Sequence, residues 1–180
     1  YLSSLKKYVE MNVTNPSVSF ALHQTWAYES NSTHEGFVNY SNDQLQMYNA
    51  IVNAIDGAAK YEGIEIIIPS GTAIQNGRTN SGEGDFTRDG YHLSLGFGRY
   101  TAACTWYETL LGESVVGNTF VPDDLSEKEV KVAQNAAHLA VLNPNSITPM
   151  IDLGLNNIVG FRFLAKTESQ FDKIVNLYKD

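Results

Sequence analysis

Asp89 and His92 lie three residues apart in TRDGYHLS, on a glycine-containing turn just ahead of an apolar-periodic segment. A carboxylate that close to an imidazole fixes the ring's tautomer through Nδ1 and leaves Nε2 open, which supplies the acid and the base of a nucleophilic hydrolysis. The same spacing suits a plainer arrangement, with Asp89 capping a turn and His92 an ordinary polar surface residue. Spacing alone leaves both open. The other chemistry-bearing residues are scattered. His23, His34 and His138 show no paired ligand spacing, so no metal site is expected. Ser70-Gly71 ends an apolar run and offers a hydroxyl, but a serine between proline and glycine is usually turn chemistry. Asp123 and Asp124 precede a helical pattern and suit its N-terminus. Gln24, Trp26, Gln75 and Arg78, with Tyr28 and Asn76, suit either a polar-aromatic pocket for a sugar ring or a set of pins between two long loops.

The bulk of the chain narrows the classes. Twenty acidic residues against twelve basic ones give 180 residues a net charge of −8, with no basic stripe to meet a phosphate backbone. Nucleic acid is not an expected partner. A hydrophobic share of 43% supports one sizeable core and one domain. Apolar runs such as IEIIIP fall far short of the roughly 20 residues that span a bilayer, and no basic-then-apolar leader opens the chain. The single cysteine, Cys104, rules out an intrachain disulfide, and within AACTW it reads as a small buried apolar residue. Nothing calls for a cofactor.

Local patterns then place these residues on elements. Leu2, Leu5 and Val9 share one helical face at the start. SVSFALHQ alternates as a strand, with Val18, Phe20 and Leu22 on one side. From Asn42 to about Lys60, Leu45, Tyr48, Val52, Ile55 and Ala59 recur at helical spacing, with Gly63 just beyond. GIEIIIPSG suits a strand covered on both faces of a parallel sheet, and GTAIQNGRTNSGEGD reads as a loop after it. Tyr100, Ala103, Trp106, Tyr107, Leu110 and Leu111 form a helix ended by Gly112. Ser126 and Glu129 have capping-box spacing for a helix running to about Leu142. A further strand near residues 158 to 164 and a helix capped by Thr167 close the chain. Strands alternating with helices imply an α/β fold with a parallel sheet, and two or three strands make that sheet incomplete. TWAYES, PSGTAIQNGR and DGYH emerge together at the C-terminal strand ends, where such sheets gather their chemistry.

HQTWAYES, IIIPSGTAIQNGRT, TRDGYHLS with GRYTAACTWYE, and VVGN together resemble the C-terminal half of the SGNH, or GDSL-type, hydrolases, within a branch common in gut Bacteroidetes. The resemblance covers residues 1–145 and leaves 146–180 as an extension of unknown role. It implies a three-layer α/β/α flavodoxin-like fold, and Asp89 and His92 as acid and base of an esterase triad. Gln24, Trp26, Gln75 and Arg78 would then bind substrate. The family's serine and oxyanion blocks lie upstream of the matched segment, so a preceding segment or a second chain is expected to supply them and complete the sheet. The implied activity is hydrolysis of acyl esters, with carbohydrate deacetylation foremost, in a periplasmic or extracellular setting. The alternative is a non-catalytic carbohydrate-binding or assembly module; a phosphate- or lipid-directed hydrolase is the third reading.

Overall fold

A computed structural model of the chain describes residues 1–80 and 85–150. Within them α1 (Leu2–Asn12) leads into β1 (Ala21–His23), a 3-10 helix (Glu35–Tyr40), α2 (Gln44–Glu62), β2 (Ile66–Ile68), α3 (Ser70–Arg78), α4 (Phe97–Leu111) and α5 (Glu127–Leu142). β1 and β2 run parallel, pairing Ala21 with Ile66, Leu22 with Ile67 and His23 with Ile68. The result is a helix-rich α/β fold around a small parallel sheet. The strands are shorter than the sequence runs, since Val18 to Phe20 find no ladder partner among the described residues. The readings for residues 158–164 and Thr167 lie outside the described residues.

Local chemistry explains most of the boundaries. The Asp43 carboxylate accepts from Gln46 N at 2.7 Å to start α2, and Gly63, at φ +64°, ends it in the left-handed region. Met47, Tyr48, Val52 and Ala59 form its buried face, while Leu45 points out to solvent because the true inner stripe lies to one side of it. Ser126 and Glu129 make the reciprocal capping box of α5. α5 then presents Ala133, Ala136, Ala137 and Ala140 to the core, and these small side chains let α3 and α4 approach closely. Ile74, Phe86, Phe97, Tyr100 and Val130 fill the space around them. On α4 the inner face is Phe97, Tyr100, Cys104 and Glu108, leaving Trp106, Leu110 and Leu111 outward. Cys104 is buried as expected; desolvation pushes its thiol up to about 12, so it stays protonated.

One element departs from the sequence reading. Residues 71 to 78, read as loop, belong to helix α3, buried from Ser70 through Gly77. Glycine and asparagine lower helix propensity, but here tertiary packing outweighs it. A Cβ on Gly71 would sit 1.9 Å from the Thr25 carbonyl oxygen, so the glycine exists to let the helix start pass against the chain leaving β1. Gly71 N also donates to Gln24 O at 3.1 Å, extending the strand contact into the helix.

Gly71→Ala is therefore expected to destabilise by about 3 kcal/mol, because the obstacle is backbone rather than a side chain that can swing away. Gly57→Ala, mid-α2 with nothing within 4 Å of its Cβ, should instead stabilise by about 0.5–1 kcal/mol. Urea midpoints at constant m-value check both.

Candidate functional site

Asp89 builds the turn that holds His92. The segment closes as a short antiparallel bridge between Thr87 and Leu93, with Arg88 N donating to His92 O at 2.9 Å. Gly90 sits at φ +86°, as the reversal requires. Inside the turn, Asp89 Oδ1 accepts from His92 N at 2.8 Å and Tyr91 N at 3.2 Å. With one oxygen fixed in this way, the other lies 2.8 Å from His92 Nδ1. The turn-capping and the pairing roles are thus performed by different oxygens of one carboxylate. Because that carboxylate is ionised, Nδ1 carries the proton and Nε2 is left as the acceptor. Nε2 has no hydrogen-bond partner among the described residues, and the His92 side chain is half exposed. Desolvation works to raise the Asp89 pKa, but the hydrogen bond to the His92 ring and those from the His92 and Tyr91 amides outweigh it and hold the carboxyl at about 2.

The loop after β1 carries most of the remaining candidates against this turn. Trp26 Nε1 donates to Tyr91 O at 2.7 Å, and Glu29 N donates to Gly90 O at 2.8 Å. Arg78, on α3, donates through Nε and a terminal nitrogen to Glu29 Oε1 at 3.2 and 2.8 Å, and its other terminal nitrogen reaches Ala27 O at 3.0 Å. That same nitrogen lies 3.1 Å from Gln75 Oε1, and Gln75 Nε2 reaches Gln44 on α2 at 3.1 Å. Burial lowers the Arg78 pKa and Glu29 pushes it back up. Gln24 is fully buried, its carboxamide oxygen accepting from Thr72 N at 2.8 Å and lying 2.9 Å from Thr72 Oγ1. Trp26 thus holds the turn directly, Arg78 holds the loop after β1, Gln75 bridges Arg78 to α2, and Gln24 lies in the interior.

Further rings cluster about Tyr91. Tyr91 lies tilted at 4.2 Å from the His92 ring and meets His34 at 4.7 Å and Tyr28 at 5.8 Å. The His34 Nδ1 accepts from Gly36 N at 3.0 Å, capping the 3-10 helix, so this ring is fixed as well. The Ser70 hydroxyl is buried with no hydrogen-bond partner among the described residues. A second carboxylate–imidazole pair escaped the sequence reading: Glu108 Oε1 lies 2.6 Å from His138 Nδ1, with Val115 N on the other oxygen at 2.9 Å. The partners are 30 residues apart on α4 and α5, so no local spacing could have flagged them. No group of three or more His, Cys, Asp or Glu able to hold a metal occurs among the described residues, and none of their helices is long and apolar enough to cross a membrane.

With this geometry established, comparisons place the chain among known proteins. A family described as "Domain of unknown function (DUF4886)" matches residues 1–140. A crystal structure of a DUF4886 family protein from Bacteroides uniformis ATCC 8492 is similar at 46% identity and a TM-score of 0.79, over 83% of this chain and 57% of that one. The chain thus spans little more than half of that relative's length. No curated protein matches. These findings correct the resemblance to the SGNH or GDSL-type hydrolases, since the family that matches is DUF4886 and neither description names such a hydrolase.

The depressed Asp89 carboxyl makes the pair's contribution to stability complete above the free value of 3.8 and lost as pH falls from there through about 2. In Asp89→Asn that segment of the pH–stability curve should flatten, as read from urea midpoints across the window. Arg78→Met leaves Glu29 partly buried and unpaired, and should cost about 3 kcal/mol, the low end for a broken buried pair because Glu29 still reaches water.

Proposed function

We propose that this domain, which belongs to the DUF4886 family, hydrolyses acyl esters, with acetylated carbohydrate as the foremost substrate, using His92 as general base and Asp89 to hold it. The single observation that carries this reading is the 2.8 Å contact between Asp89 and His92 Nδ1 on a half-exposed His92 side chain. In this reading the hydroxyl comes from a serine upstream of residues 1–180. As that oxygen bonds to the ester carbonyl, Nε2 takes its proton, and the resulting imidazolium faces the Asp89 carboxylate. His92 then returns the proton to the departing alcohol, and a water repeats the cycle to free the acid. The oxyanion donors belong to the same upstream part. We read the parallel strand pair, with the site at its C-terminal edge, as part of a three-layer α/β/α flavodoxin-like arrangement.

One observation favours a second reading, a non-catalytic carbohydrate-binding module: the Tyr28, His34 and Tyr91 rings beside the pair are the side chains on which a sugar ring packs. Rates of full-length protein on acetylated sugars and long-chain esters separate the two. The hydrolase reading expects turnover of the acetylated sugars and a loss of about a thousandfold or more in His92→Ala with an unchanged circular dichroism spectrum. Turnover that survives His92→Ala removes the assignment, and sugar binding without turnover supports the module.

A further inference from the structure

The two peptide units ahead of His92 are each held at both ends. In the unit joining Tyr91 to His92, the N–H donates to Asp89 Oδ1 at 2.8 Å and the carbonyl accepts from Trp26 Nε1 at 2.7 Å. In the unit joining Gly90 to Tyr91, the N–H donates to the same Oδ1 at 3.2 Å and the carbonyl accepts from Glu29 N at 2.8 Å. Asp89 secures the turn from inside, and the loop after β1 secures it from outside.

The outer contacts differ in kind. The Glu29 contribution is backbone and survives any side-chain change. The Trp26 contribution is one indole N–H, a donor with no acceptor role of its own. The indole body is partly buried against the core around α3, α4 and α5, which fixes where that N–H points. A peptide plane can swing about its flanking bonds when one end is released. Swinging the 91–92 unit draws the His92 amide off Asp89 Oδ1 and turns the His92 side chain relative to Oδ2, the oxygen that sets its tautomer.

We infer that Trp26 is a positioning residue for the Asp89–His92 pair, its indole N–H locking the 91–92 peptide so that the His92 ring meets Asp89 through Nδ1. This gives Trp26 a role other than lining a sugar pocket. Its catalytic consequence rests on the hydrolase reading, whereas its structural consequence does not.

The test uses the full chain with 15N-labelled histidine and reads the His92 tautomer by NMR, at a pH where the imidazole is neutral. The native protein should show His92 mainly as the Nδ1–H form, and Asp89→Asn should lose that preference. Trp26→Phe, which keeps an aromatic ring but lacks the N–H, should shift His92 toward the Nε2–H form. Replacement of Trp26 by 3-benzothienylalanine, which keeps the shape and exchanges N–H for sulfur, should do the same and separates the hydrogen bond from packing. In an active protein kcat should fall about tenfold or more with KM little changed. An unchanged tautomer with the benzothienyl side chain overturns the inference whatever the activity. A shifted tautomer in a protein without esterase activity upholds the positioning role and defeats the hydrolase reading.

Discussion

A buried guanidinium organises this half of the molecule. Arg78 lies almost wholly out of solvent, and a cation there is tolerable only when its donors are met. Glu29 and the Ala27 carbonyl meet them, and both belong to the loop after β1. Satisfying Arg78 therefore fixes that loop against α3, and the loop in turn fixes the Asp89–His92 turn through Trp26 and Glu29. α3 itself stands where it does because Gly71 lets it pass within touching distance of Thr25. The chain of dependence runs from one missing side chain, through one buried charge, to one imidazole.

What the sequence disclosed follows the reach of its interactions. The ends of α2 and α5 were legible because Gly63 and the Ser126–Glu129 box act within a few residues of themselves. The Asp89–His92 pair was legible for the same reason, three residues being enough to set its geometry. α3 was misread because its cause lies elsewhere in the chain: its glycines are poor helix formers that serve close packing against Thr25 and Phe86. The Arg78–Glu29 contact spans 49 residues and the Glu108–His138 contact 30, and no window of sequence joins them. Trp26 was singled out, but its bond to Tyr91 spans 65 residues, so a pocket-lining role and a pinning role looked alike.

A run such as IEIIIPSG expresses what any parallel strand leading into a helix needs, so it identifies an architecture more readily than a lineage. A match over residues 1–140 and 46% identity to a solved relative carry the lineage instead.

Acid and base here ride on four consecutive residues, closed by their own carboxylate. Their separation is therefore set inside the turn, with the Trp26 indole N–H tying it from outside. Loss of alignment then enters at two joints, where Trp26 meets the turn and where a molecule or segment approaches Nε2. A domain so built tolerates distortion within its body far better than displacement of the loop on which the turn rests.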